Sequence, residues 1–200
     1  MATILNIKTS INGENSASNQ LSQTVINQLL EKDPNSKVIV RDLAQNPIPH
    51  LELQHFRSFA ISNEERNEEE REASKYSEEA LQEIGEADII VIGVPFYNFS
   101  IPSTLKSWID HIAVAGKTFS YADGTPKGLL QNKKLYLNFA IGGIYEDKSI
   151  IDSVEKYLRS LFGFIGITDV EVFRSEGMAI PPLREESLSK AFSEIEAALV

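Results

Sequence analysis

Two hundred residues with 42% hydrophobic content and no apolar run long enough to cross a bilayer describe a single domain, residues 1–200, large enough to enclose a core. The absence of cysteine excludes disulfides, thiolate nucleophiles and cysteine-ligated zinc or iron–sulfur centres, so redox chemistry here requires a borrowed cofactor. A formal charge of −10 without a basic stripe argues against nucleic acid as a partner, and the opening MATILNIKTS lacks the marks of a secretory signal, so a cytoplasmic location is expected.

Thr3 to Lys8 is short, apolar and β-compatible, which suits a central strand. From Ser18 the residues Leu21, Val25, Leu29 and Leu30 recur at helical spacing, with Ser18 or Asn19 as N-cap and Pro34 as the stop. "KVIVRDL", 37–43, predicts the second strand, followed by the proline-marked loop "NPIPHL". Residues 63–86, dense in Glu, predict a solvated helix. "DIIVIGV", 88–94, is apolar on both alternations and therefore central to the sheet.

A further helix begins near Pro102 and carries Leu105, Trp108, Ile109 and Ile112 on one face. "TFSYADG", 118–124, predicts a β-excursion turning at Asp123-Gly124. A strand at 134–140, a helix at 149–162, a strand at 170–175 and a helix at 183–199 complete the chain. Strands alternating with helices in this way imply an α/β fold, a doubly wound parallel sheet of five strands with helices on both faces.

Ligands of such sheets bind beyond the carboxyl ends of the strands, where strand order reverses. Three connections there stand out. "TSINGENSASNQ", 9–20, offers small hydroxyls and backbone N–H groups at a helix N-terminus, which favours an anion such as phosphate; the same residues would equally serve as an ordinary cap and turn. With no Arg or Lys after Lys8, the loop would hold its anion through neutral donors. It lacks G-x-G-x-x-G and G-x-x-x-x-G-K-[ST], which weakens the dinucleotide-fold and nucleoside-triphosphatase readings. "PFYNFSIP", 95–102, sets Phe96, Tyr97 and Phe99 around Asn98 at a strand exit, either as core under the next helix or as a surface for a planar ligand. In "AIGGIYED", 140–147, Gly142-Gly143 permits close approach to a ligand. A flat ring at one end and a phosphate at the other is the shape of flavin mononucleotide.

These stretches resemble the FMN-dependent NADH:quinone oxidoreductases and azoreductases of flavodoxin-like fold. The resemblance runs nearly end to end, through "SINGENSASNQLS", "RDLAQNPIP", "PFYNFSIPSTLKSWID", "GKTFSYADGTPKGLL" and "FGFIGITDV". It implies strand order 2-1-3-4-5, with Ser10, Ser16, Ala17 and Ser18 holding the FMN phosphate. It places Phe96, Tyr97, Asn98 and Phe99 along the isoalloxazine, and Ala140, Ile141, Gly142 and Gly143 beside it. It further implies a homodimer with the site at the subunit interface, Tyr121 and Phe164 near the substrate pocket, NADH or NADPH as electron donor, and quinones or azo compounds as acceptors. The donor would deliver hydride and leave before the acceptor enters, a ping-pong scheme that requires no catalytic acid or base. One departure stands in the third loop, where the family usually reads Ser-x-Gly-Gly, often with Arg as x, and this chain has Ala140-Ile141.

Two rival readings accompany this one. A flavodoxin-type carrier would shuttle single electrons on the same fold without turning over a substrate. A serine hydrolase would need an activating base, yet no G-x-S-x-G elbow is present. His50 and His55 flank Glu52 at a spacing that matches no strong metal-ligand pattern, so no metal is expected, and His111 is read as structural or solvent-facing.

Overall fold

The apolar run Thr3–Lys8 forms strand β1, and in the computed structural model, which describes residues 1–122 and 124–199, its four central residues are all buried. Burial on both faces follows from helices packed above and below. The remaining strands are β2 (Lys37–Asp42), β3 (Ile89–Pro95), β4 (Phe119–Ser120), β5 (Lys127–Gly128), β6 (Lys134–Ala140) and β7 (Asp169–Ser175). The five long ones pair in parallel in the order β2-β1-β3-β6-β7, which is 2-1-3-4-5 for the strands of the main sheet.

The helices are α1 (Ala17–Lys32), α2 (Leu53–Ser58), α3 (Glu68–Glu86), α4 (Ser103–Ile112), α5 (Ser149–Phe164) and α6 (Pro181–Ala198). On one face, Leu21, Val25 and Ile26 of α1 and Ile195 of α6 pack on Ile4, Val91, Tyr136 and Phe173. On the other, Ile84, Leu105, Trp108, Leu158 and Phe162 from α3, α4 and α5 cover Leu5, Ile7, Ile90, Ile92, Leu137 and Phe139. Each such aliphatic or aromatic side chain contributes about 1.5–3 kcal/mol by leaving water. The alternation of Ile90, Val91 and Ile92 between the two cores reproduces the period-two geometry of a strand covered on both sides.

Both sheet edges are tied to a helix by an arginine. Arg41 of β2 donates from Nε and Nη2 to the Glu83 carboxylate of α3, at 3.0 and 2.6 Å, and Arg174 of β7 pairs with Asp152 and Glu155 of α5. Charged side chains at an edge also discourage pairing with foreign strands.

Several elements depart from the sequence expectation. Helix α1 begins earlier than predicted, because a 3-10 turn at Gly13–Asn15 delivers Ser16, not Ser18 or Asn19, to the N-cap, where its Oγ accepts the Asn19 N–H. The acidic stretch becomes helical only at Glu68, after Asn67 and Glu70 form a reciprocal capping box. The short α2 was not expected; Glu52 and His55 cap it. Helix α6 starts at Pro181, a residue suited to the first turn. The predicted excursion exists as the antiparallel pair β4–β5, while its proposed turn residue Asp123 lies outside the described residues. Gly128 of β5 passes so close to Gly166 that a Cβ there would stand 2.1 Å from the Gly166 nitrogen. That contact fastens the excursion to the loop after α5. Among the described residues, no helix is long and apolar enough to cross a membrane.

His111 of α4 is fully buried, so the structural reading of it holds. Its Nδ1 lies 2.6 Å from Ser77 Oγ and its Nε2 lies 3.1 Å from the Pro49 carbonyl. Nε2 can only donate to that carbonyl, so Nδ1 of the neutral ring accepts from Ser77. Burial first, and the neighbouring His55 second, hold its pKa below the ordinary 6.5, against the opposing pull of the Pro49 carbonyl and Asp110. Below pH 6.5 the unfolded chain then binds a proton that the folded chain resists, and stability falls as pH drops. Thermal melting from pH 7.5 to 5 is expected to show a falling Tm in the parent chain and a flatter profile in His111→Gln, whatever the variant's absolute Tm.

Candidate active site

Strand order reverses between β1 and β3, so the segments leaving their carboxyl ends diverge and open a crevice. The first, Thr9 to Ser16, is fastened at both ends. Thr9 Oγ1 donates to the Gly93 carbonyl of β3 at 2.6 Å, and Asn19 Nδ2 donates to the Gly13 carbonyl at 3.0 Å. Gly13 adopts a φ of +53°, which turns the chain back toward the sheet. Glu14 projects outward toward Lys8, 4.0 Å away, and not into the crevice.

At the mouth of α1 the amide N–H groups of Ala17 and Ser18 have no acceptor among the described residues, as the geometry of a helix start dictates. Ser16 Oγ lies 3.0 Å from Ser18 Oγ, and Ser10 Oγ accepts the Asn12 N–H at 3.3 Å. Hydroxyls, free amides and the positive end of a helix together favour a dianion.

The second segment, leaving β3, forms a tight hairpin in which Tyr97 and Ser100 exchange backbone hydrogen bonds of 3.0 and 2.9 Å. Asn98 and Phe99 at its tip have φ of +48° and +64°, left-handed values that cost a non-glycine residue about 1–2 kcal/mol each. Their amide N–H groups have no acceptor among the described residues. Phe96, Phe99 and Tyr145 meet edge-on with ring centroids 5.9–6.4 Å apart, an aromatic cluster that joins the second segment to the third. The Tyr97 hydroxyl reaches across to the first segment, 3.2 Å from Ser10 Oγ and accepting the Ile11 N–H at 3.3 Å.

Between the segments lies a cavity of about 260 Å³. Ser10, Ser16 and Ala17 wall one side, Phe96 and Tyr97 another, and Ala140 and Gly142 a third, with Met178, Ala179 and Arg184 closing it from beyond β7. No carboxylate or imidazole is among the described residues that line it. A larger hollow of about 710 Å³ sits beside α2 and α3, but Glu52, Glu68, Glu69 and Glu72 wall it and would repel an anion. The chemistry of the donors, not size, selects the smaller cavity.

A family model described as flavodoxin-like fold matches residues 2–199. An FMN-dependent NADH:quinone oxidoreductase of Alcanivorax borkumensis is 44% identical over 98% of this chain and 98% of its own, and one of Pseudomonas fluorescens is 42% identical over 96% of each. The crystal structure of an azoreductase from Bacillus anthracis superposes with a TM-score of 0.88 at 30% identity, covering 100% of this chain and 99% of its own. A structure described as an FMN-dependent NADH-azoreductase from Bacillus anthracis in complex with FMN superposes with a TM-score of 0.85 at 28% identity, covering 98% of this chain and 97% of its own. The chain belongs to this family of flavodoxin-like oxidoreductases.

Within that family frame, the expected site residues divide. Ser10, Ser16, Ala17, Phe96, Tyr97, Ala140 and Gly142 line one cavity. Ser18 is fully buried and is not among the lining residues; its Oγ lies 3.0 Å from that of Ser16, which is. Asn98 and Phe99 stand exposed at the hairpin tip. Ile141 does not face the cavity. Its side chain is in the core, its N–H donates to Ser175 and its carbonyl accepts from Met178, so the period-two parity of β6 sends Ala140 toward the cavity and Ile141 away. Gly143 leaves room for the Tyr145 ring, which a Cβ would meet at 3.3 Å. Tyr121 and Phe164 come together around Phe119, at 5.4 and 4.5 Å, as a second aromatic wall outside the 260 Å³ cavity.

Asn12, Asn15, Tyr145, Met178, Ala179 and Arg184 were not anticipated. Arg184 adds a cation to the lining of a cavity to which the serine loop brings neutral donors. The loop after β7 also leaves a carboxyl strand end, and an arginine in the first turn of the helix it feeds was the signal available in the sequence.

Ser16→Asp separates the anion site from the fold, since aspartate is an equally good N-cap and keeps the Asn19 N–H satisfied. The variant is expected to stay folded, with a cooperative melt, and to lose retention of added FMN, checked by thermal melting and by flavin fluorescence after desalting.

Proposed function

We propose that this protein binds FMN in the crevice between the β1 and β3 exits and uses NADH or NADPH to reduce quinones and aromatic azo compounds by two electrons, in ping-pong fashion. The observation that carries the reading is the convergence of a donor-rich helix mouth with a strained aromatic hairpin around one cavity at the switch point.

The residues present suit such a ligand. The Ala17 and Ser18 amides with the Ser10 and Ser16 hydroxyls would hold the phosphate. The free amides of Asn98 and Phe99, with those of Gly142 and Gly143, would donate to the polar edge of the ring system. Phe96 and Tyr97 would lie beside it, and Gly142 would admit it without steric conflict. FMN, when bound, supplies a two-electron relay between nicotinamide and acceptor that no side chain of this chain offers. The protein's part is to hold, orient and keep water from the ring, and to present one aromatic-walled face to two flat ligands in turn.

A homodimer belongs to the same reading. Phe56, Phe99 and Tyr121 are 63%, 56% and 57% exposed, large apolar side chains left uncovered on the crevice side and on α2. A second copy would bury them and complete the substrate pocket around Tyr121 and Phe164. Light scattering on the purified protein tests this, with a mass near 45 kDa expected for two chains of 22.3 kDa.

The deciding experiment is the visible spectrum of the purified protein. Flavin bands bleached by NADH under nitrogen and restored by a quinone are expected; a colourless protein that refuses added FMN overturns the reading. A flavodoxin-type carrier would instead accept single electrons and turn over NADH with quinone no faster than free flavin. Tyr97→Phe keeps the ring and deletes the tie to Ser10 and Ile11, so it is expected to weaken FMN binding about fivefold, the equivalent of about 1 kcal/mol for one hydrogen bond, while Tyr97→Ala weakens it further. Fluorescence titration of the apoprotein measures both.

A further inference from the structure

Arg184 stands in the first turn of α6, where the helix dipole is unfavourable to a cation. It nevertheless turns inward. Nη1 donates to the Met178 carbonyl at 3.2 Å and Nη2 to the Asn15 carbonyl at 3.0 Å, and both of those residues line the 260 Å³ cavity, as does Arg184 itself. Asn15 immediately precedes the Ser16 N-cap, so the guanidinium lies against the donor-rich mouth of α1.

Two further features mark Arg184. Arg41, Arg66, Arg159 and Arg174 each pair with a glutamate, whereas Arg184, like Arg57 and Arg71, has no carboxylate partner among the described residues. Its charge is spent on two carbonyls, which leave three of its five N–H donors free. It is also the one charged side chain among the described residues that line the cavity, in a chain of net charge −10. A fixed, unpaired cation held by carbonyls beside a cluster of anion donors is arranged for an anion that arrives from outside.

We propose that Arg184 is the cationic arm of the phosphate site and sets the preference of this protein for a phosphorylated flavin over riboflavin. The proposal rests on the FMN reading above and adds a residue and a selectivity to it. Arg184 supplies from α6 the positive charge that the Ala140-Ile141 loop lacks. Its forked donors bridge Asn15 and Met178, so they hold the phosphate loop against the segment after β7 and face the incoming phosphate at the same time.

The test compares FMN with riboflavin, which carries the same ring without the phosphate. Apoprotein of the parent, Arg184→Met, Arg184→Gln and Arg184→Lys is titrated with each flavin by fluorescence quenching, at two salt concentrations, with apoprotein melting as the check on folding. FMN affinity is expected to fall about 10- to 100-fold in Arg184→Met and Arg184→Gln while riboflavin affinity is unchanged, with a shallower salt dependence for FMN and an intermediate loss in Arg184→Lys. Equal losses for both flavins make Arg184 a structural brace only and overturn the proposal, as does an unaltered FMN affinity. A parent protein that binds neither flavin overturns the FMN reading itself, a result distinct from tight FMN binding that ignores Arg184.

Discussion

The close seating of the α1 N-terminus on Gly93 of β3 is the constraint on which the rest of this structure depends. A Cβ at that position would stand 3.2 Å from the Ser18 carbonyl and from Asn19 Oδ1, so glycine is what lets the first turn of α1 settle against the sheet. Thr9 bonds the same residue's carbonyl from the other direction, and Asn138 Nδ2 donates to Ser22 Oγ one turn farther along α1. Small and polar contacts therefore replace apolar bulk at this end of the helix, whereas Leu21, Val25 and Ile26 pack conventionally. The helix mouth is thereby held at the point where strand order reverses, with its first amides turned to the crevice.

The aromatic side of the crevice is built on opposite terms. Where the helix mouth is anchored by regular structure, the Tyr97–Ser100 hairpin holds two non-glycine residues in left-handed conformations. Glycine would relax that backbone but would leave nothing at Phe99 to pack on Phe96 and Tyr145. The strain is held in place by the Phe96 N–H to Ala140 carbonyl bond of 2.9 Å and by those ring contacts. The Tyr97 hydroxyl then couples the strained hairpin to the serine loop, so the two ends of the crevice are positioned relative to each other by one side chain.

The parallel sheet was legible because strands alternate with helices along the chain and β3, apolar on both alternations, shows the pattern that burial on two faces requires. Helix α2 was not, since six residues are too few for a 3.6-residue period to declare itself and its cap depends on the His55 side chain folding back to Glu52. The serine loop and the aromatic hairpin could be read from composition at strand exits. The inward turn of the Ile141 side chain follows from strand parity, because Phe139 and Ile141 share the core side of β6 and Ala140 the other. Arg184 could not be linked to Asn15 from local pattern, as 169 residues separate them and only the sheet order brings them together.

That long separation shapes what the site can do. Its walls come from the ends of β1, β3 and β6 and from the segment following β7, so a ligand held there touches most of the chain's topology at once. A ligand that binds only the folded chain stabilises all of those elements together by mass action. The starts of α1 and α6 meet beside the cavity at the Asn15–Arg184 contact, whereas its aromatic side is formed by the hairpin after β3, and the Phe119, Tyr121 and Phe164 cluster lies at β4 and the end of α5. Helix starts anchored in this way are suited to gripping an anion. Aromatic side chains such as Phe99 and Tyr121, half exposed, are suited to meeting flat ligands, and the fold carries those two kinds of surface on separate elements.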